Sequence, residues 1–173
     1  MPDSQLLLRI CRADYTNTAH ADALVNLLDA YAKDPMGGGE PLSDFVKTHL
    51  VNSLAAHPMA FSVLAFGGIE GDTPIGVVNC FEGFSTFACR PLINVHDVAV
   101  LPAYRGQRVA EKMLALVEEI ALERGACKLT LEVLQGNAKA LKLYTRVGFS
   151  NYQLDPAAGQ AQYGVCVAVA YGG

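Results

Sequence analysis

The sequence predicts an α/β domain built on a mixed, mostly antiparallel sheet with helices on both faces. Three observations predict it. The apolar segments follow the order β-α-α-β-β-β-α-β-α-β-β. Two strand-like runs, MAFSVLAF and PIGVVNCFEGFSTF, succeed each other across a Gly-Asp turn region, as antiparallel neighbours do. A long amphipathic helix separates INVHDVAV from CKLTLEVL, which makes those two strands parallel through a right-handed crossover.

Taken in order, residues 6–12, LLLRICR, read as a first strand. From about Thr18 to Lys33 the apolar positions Ala21, Leu24, Val25, Leu27, Leu28 and Tyr31 keep helical spacing. DPMGGGEP ends that helix, because proline disfavours helix in the residue before it and glycines break it. A second helix, capped by Ser43, carries Phe45, Val46, Leu50 and Leu54 toward Ala56. After the three strands comes a helix from about Gln107 to Arg124. Its stripe is Val109, Ala110, Met113, Leu114, Val117, Ile120 and Ala121, and Gly125 ends it. Asn137 caps a short helix with Ala140, Leu141, Tyr144 and Val147 inside, closed by Gly148. Phe149 to Leu154 and Tyr163 to Tyr171 supply two last strands. No linker or repeat divides the chain, so residues 1–173 are expected to form a single domain.

Composition narrows the function classes. With 51% hydrophobic and 17% charged residues the chain is globular rather than disordered. A net charge of −4 argues against a general nucleic-acid binder, which needs a broad basic surface. The five cysteines show no CxxC pair and no metal-like spacing, so reduced structural thiols and no metal are expected. The N-terminus lacks a basic and apolar leader and no window is long enough to span a membrane; a cytoplasmic protein without a membrane partner is expected. The last strand, YGVCVAVAY, is apolar on both faces, so it is either central or covered by a partner, and a homodimer is the second expectation.

The chemistry concentrates in VLPAYRGQRVAEKML, Val100 to Leu114, where a strand ends and a helix begins. A helix start offers unpaired N–H groups and a partial positive charge, and a glycine lets an anion approach the backbone. Arg105, Arg108 and Lys112 add cations there in an otherwise acidic chain. Neither GxxxxGK[ST] nor GxGxxG occurs, which removes the nucleoside-triphosphate and dinucleotide loops. The pattern VxPxxRGxxVAxxML, followed by Leu131-Glu132-Val133-Leu134, Asn137, Ala140-Leu141, Leu143-Tyr144 and Gly148-Phe149, resembles the GNAT superfamily of acetyl-CoA-dependent N-acetyltransferases.

The resemblance implies a GNAT-like fold with a parallel β-α-β unit for acetyl-CoA. Its pyrophosphate would sit on the amides of Arg105, Gly106, Gln107, Arg108, Val109 and Ala110. The pantetheine arm would pair with Val98, Ala99 and Val100, the Val98 amide polarising the acetyl carbonyl. The family pattern is Gln/Arg-x-x-Gly-x-Gly/Ala, and Arg108 occupies its first glycine position; an outward guanidinium pairing with phosphate is the favoured reading. The family places a tyrosine beside the cofactor sulfur at Tyr144. A phenol with a reference pKa of about 10 can protonate the departing thiolate. Asn137 would cap its helix and also touch the pantetheine arm.

The base is open. Where some members carry a glutamate this chain has Asn94, so the candidates are His96, Asp97 and Glu82. His96 and Asp97 face opposite sides of a strand and do not form a dyad. Asp97 suits a substrate ammonium, since a partly buried carboxylate is costly without a cationic partner. FEGFSTF followed by NVHDVAVLP is similar to the polyamine and thialysine acetyltransferase branch, although His96 replaces the first acid of that branch's pair and its tryptophan-bearing end is missing. The expectation is N-acetylation of a small amino-acid-like or polyamine-like primary amine by direct attack in a ternary complex. The alternatives are a protein or peptide N-acetyltransferase and a non-catalytic acyl-CoA-binding module. The loop DPMGGGEPL either borders the acceptor or merely connects two helices.

Overall fold

A computed structural model describes residues 7–151 and the backbone of residues 165–170. The elements, in chain order, are β1 (Arg9–Arg12), α1 (Thr18–Lys33), α2 (Asp44–Ala55), β2 (Ala60–Gly67), β3 (Thr73–Ser85), β4 (Arg90–Val100), α3 (Val109–Glu123), β5 (Lys128–Val133), α4 (Ala138–Arg146), β6 (Ser150–Asn151) and β7 (Val165–Ala170). This is the predicted order. Local chemistry sets the helix starts. Asn17 Oδ1 accepts from the His20 amide at 3.1 Å before α1, and Ser43 Oγ from the Val46 amide at 3.3 Å before α2.

Two boundaries differ from the sequence reading, and two short turns are added to it. α3 opens at Val109 rather than Gln107, because Gly106 and Arg108 both take left-handed φ values, +77° and +60°, that no helix continues. The strand expected from Phe149 is only Ser150–Asn151 among the described residues; its expected remainder, 152–154, lies outside them. Phe149 is instead buried, its amide donating to the Tyr144 carbonyl at 2.9 Å to close α4. Two short 3-10 turns, Pro35–Gly37 and Pro102–Tyr104, were not expected; proline starts each.

The chain forms two compact units. The first comprises Met1–Cys80 and Asp97–Val117. Here β1 pairs antiparallel with β2, Arg9 opposite Phe66 and Arg12 opposite Val63, and β3 lies on the other side of β2. β2 is buried along its whole length, which is why its sequence, Ser62 apart, is apolar on both faces instead of alternating. Gly76 on β3 is a close-approach residue. A Cβ there would fall 2.9 Å from Met113 Cε on α3 and 3.2 Å from the Ala99 carbonyl on β4. The missing side chain lets α3 pack closely on the strands at Met113.

The second unit comprises Phe81–His96 and Glu118–Gly173. Its strands run in the order β4-β5-β7-β6. β4 and β5 are the parallel pair the crossover required, with Ile93 opposite Leu129 and Val95 opposite Leu131. β7 pairs antiparallel with both β5 and β6. It is therefore an interior strand of that sheet, the central position that was one of its two expected readings.

Candidate active site

The stretch expected to cradle an anion lies wholly within the first unit. After β4 the Leu101 amide donates to the Ile75 carbonyl at 2.9 Å, the turn Pro102–Tyr104 follows, and α3 begins its own hydrogen bonding with the Lys112 amide on the Arg108 carbonyl at 3.2 Å. The amides of Val109 and Ala110 thus belong to the first turn, which has no intrahelical acceptor. Gly106 is needed for its φ and not for space, since nothing lies within 4 Å of a Cβ built there. Arg108 holds a left-handed backbone despite its side chain. This explains physically why the family pattern has glycine at that position. A backbone preset with two left-handed residues ahead of a free helix turn fits a diphosphate, whose oxygens only accept.

Replacing Arg108 with glycine removes a left-handed penalty of about 1–2 kcal/mol, offset by about 0.4–1 kcal/mol of added freedom in the unfolded chain. The expected result for Arg108→Gly is a thermal midpoint unchanged or higher by up to about 3 °C. Loss of the guanidinium is expected to weaken acetyl-CoA binding several-fold by calorimetry. Unchanged affinity would mean the side chain plays no part with phosphate.

Two other residues of the stretch are engaged with protein. Arg105 donates through Nε to the Val100 carbonyl at 2.9 Å and through Nη2 to Asp34 Oδ2 at 3.2 Å. Gln107 Nε2 donates to the Ala103 carbonyl at 3.3 Å, bracing the turn. Arg105 therefore fastens the loop that follows α1 to the end of β4. That loop is not a slack connection. Asp34 Oδ1 caps its 3-10 turn through the Met36 amide at 3.0 Å, and a Cβ at Gly37 would overlap the Tyr31 carbonyl. The Met36 amide first, then Arg105, hold the Asp34 carboxyl below its ordinary value.

Asp29 ties the far end of the same loop, accepting from the Leu42 amide at 2.9 Å, Lys33 Nζ at 2.6 Å and Lys47 Nζ at 3.4 Å. Lys33 chiefly, with the Leu42 amide and Lys47, holds this carboxyl below its ordinary value as well. A depressed folded pKa means the tie is whole above the unfolded value, about 3.9, and is lost as pH falls through the folded one. The Leu42 amide resonance is accordingly expected to shift only below about pH 4, and Asp29→Asn to abolish that titration.

Asp97 stands at the centre of the acceptor question. It is half-buried on β4, and Asn79 Nδ2 donates to its Oδ2 at 3.0 Å. Among the described residues no Lys, Arg or His forms an ion pair with it. Tyr31 lies in its field: burial first, then the charges of Asp97 and Asp34, push the phenol pKa up. Tyr31 therefore keeps its proton and remains a hydrogen-bond donor near a carboxylate. Sequence reasoning treated it as one more apolar position of α1; the only available signal was a tyrosine where leucine would serve.

The second unit holds the remaining predicted residues. His96 is exposed, with Nδ1 3.3 Å from Asn94 Oδ1 and its ring edge-on to Phe81 at 5.3 Å. Glu82 Oε2 accepts from Arg124 Nη1 at 2.9 Å in a part-buried ion pair. Asn137 caps α4, its Oδ1 accepting from the Ala140 amide at 3.2 Å. Tyr144 is buried on α4, edge-on to Phe149 at 5.7 Å. Of the FEGFSTF aromatics, Phe84 and Phe87 are exposed. Cys11, Cys80, Cys89 and Cys127 are not joined in disulfides. No group of three or more metal-ligating side chains occurs among the described residues, and no described helix is long and apolar enough to cross a membrane.

A parallel strand–helix–strand unit, with a helix opened by a left-handed turn, defines the class. The acetyltransferase (GNAT) family model matches residues 24–149, and the chain belongs to that family. It is similar to thialysine N-epsilon-acetyltransferase of Bos taurus, 35% identical over 82 residues, which are 47% of this chain and 48% of that protein. It is similar also to streptothricin acetyltransferase of Streptomyces lavendulae, 35% identical over 77 residues, 44% of this chain and 41% of that one. The match therefore spans about half the length of these curated relatives. Among solved structures, the NatC complex bound to Gag peptide and CoA shares the fold, with a TM-score of 0.70 over 95% of this chain and 99% of that one at 18% identity.

Proposed function

We propose that the chain is an acetyl-CoA-dependent N-acetyltransferase whose acceptor is a primary amine on a small amino-acid-like or polyamine-like molecule. The observation that carries the acceptor half is Asp97, a half-buried carboxylate with no cationic partner among the described residues. It lies on the strand that leads directly into the anion cradle. A charged nitrogen of the acceptor supplies the missing cation. The relatives named for thialysine and streptothricin support a small amine.

In this reading the diphosphate of acetyl-CoA rests on the amides of Gly106 to Ala110, with Arg108 beside it. β4 pairs with β5 from Ile93 to Val95 and itself continues to Val100, which supports an added-strand role for Val98, Ala99 and Val100 toward the pantetheine arm. The Val98 amide polarises the thioester carbonyl. A neutral amine attacks that carbon, the C–N bond forms and the C–S bond breaks; Tyr144 gives its proton to the sulfur, and the proton shed by the new amide nitrogen leaves through water, which also restores the phenol. Asn137, already engaged as a helix cap, contributes to holding the pantetheine. No dedicated base is assigned, because Glu82 is engaged by Arg124 and His96 lies against Asn94.

Acetyl-CoA consumption measured against thialysine, spermidine, lysine and short peptides tests the proposal. Faster turnover of thialysine or spermidine than of any peptide is expected. Preference for peptides would transfer the function to a peptide acetyltransferase. Coenzyme binding with no amine consumed would leave a binding module.

A further inference from the structure

A chain of side-chain hydrogen bonds runs through the first unit and ends on Asp97. Tyr15 Oη lies 2.9 Å from Ser62 Oγ, Ser62 Oγ donates to Asn79 Oδ1 at 2.7 Å, and Asn79 Nδ2 donates to Asp97 Oδ2 at 3.0 Å. Ser62 is 1% exposed and Asn79 4%, the two buried polar residues among the described ones. Both interrupt strands that are otherwise apolar at these positions. Buried polar groups cost stability unless satisfied, so two of them on adjacent strands need a reason.

Donor and acceptor inventory gives the chain a single direction. The Asp97 carboxylate only accepts, so Asn79 must turn its NH2 toward it and its carbonyl toward Ser62. The one Ser62 hydroxyl proton is spent on that carbonyl, so Tyr15 must donate to Ser62. Each donor is polarised by the next acceptor, and the chain culminates on Oδ2. It is not a proton wire. A proton passed from Ser62 would leave Asn79 as an imidic acid, and an amide does not relay protons readily. What the chain can do is hold.

We infer that Asn79, backed by Ser62 and Tyr15, is a positioning residue that locks the Asp97 carboxylate by Oδ2 and leaves Oδ1 to receive the acceptor's ammonium. This rests on the reading of Asp97 as the amine-binding carboxylate. Asn79 is the only described hydrogen-bond partner of Asp97. A carboxylate on a strand can otherwise rotate about its two side-chain torsions, and a preset orientation lowers the cost of ordering it when the amine arrives. The class of ligand recognised is thus a compact cationic nitrogen meeting one fixed oxygen, not a planar guanidinium that would want both.

The test is steady-state kinetics with thialysine and with spermidine, alongside calorimetry with acetyl-CoA. Asn79→Asp keeps the shape and the Ser62 bond but replaces the N–H facing Asp97 with an oxygen. It is expected to raise the acceptor KM about tenfold or more, with acetyl-CoA affinity within about twofold of the parent. Tyr15→Phe, at the far end, is expected to raise the acceptor KM about two- to fivefold, and it decides the matter if Asn79→Asp does not fold. Unchanged acceptor KM in these variants, while Asp97→Asn raises it, would overturn the positioning role and spare the amine-binding one. Equal losses of acceptor and acetyl-CoA binding would mean a structural role only and overturn the inference. An unchanged KM in Asp97→Asn, or a parent that acetylates neither amine, would overturn both.

Discussion

Asp97→Asn is expected to raise the KM for thialysine or spermidine about 10- to 100-fold while acetyl-CoA affinity stays within about twofold. The size follows from one charge-assisted contact of about 1.5–3 kcal/mol, at about 1.4 kcal/mol per factor of ten. The direction follows from the pairing. Asp97 is half-buried with one neutral donor on it and no ion pair among the described residues, and in the proposed function the acceptor's ammonium supplies its cation. Asparagine keeps the shape and loses the charge, so the fold is expected to persist. Comparison of kcat with KM separates binding from chemistry: if Asp97 only holds the amine, kcat changes little. A fall in kcat with unchanged KM would make Asp97 a base instead.

The second large effect is at Tyr144. Tyr144→Phe is expected to lower kcat about 100-fold or more, the usual range for a positioned general acid, with acetyl-CoA affinity nearly unchanged. Phenylalanine preserves the edge-on contact with Phe149 and the apolar packing of α4, so the loss isolates the hydroxyl. Single-turnover rates are the measurement, because slow product release would hide a change in the chemical step. An unaltered single-turnover rate would leave Tyr144 a packing residue.

How far the sequence reached depends on how local each determinant is. α1 runs over Thr18–Lys33 as its spacing required, since both its Asn17 cap and its Asp-Pro stop lie within a few residues of its ends. The parallel pairing of β4 with β5 was legible too, because handedness and a helical crossover leave little choice. The start of α3 was misplaced by two residues for a definite reason. Arginine gives no sign of a left-handed backbone, and only the glycine that the family has at Arg108 hints at it. The Tyr15–Ser62–Asn79–Asp97 chain was invisible. Its members are far apart in sequence and meet only through the β2–β3 neighbourhood and the register of β4, neither of which a local pattern encodes. Glu82 was a candidate base by its place in the FEGFSTF strand; its ion pair with Arg124, 42 residues on, is a contact no local pattern encodes.

The central claim is that the backbone from Gly106 to Ala110 receives the diphosphate of acetyl-CoA. A crystal structure of the protein with acetyl-CoA tests it most directly. Diphosphate oxygens within about 3 Å of those amide nitrogens are expected. Coenzyme bound with its diphosphate elsewhere, and these amides facing solvent, would contradict it.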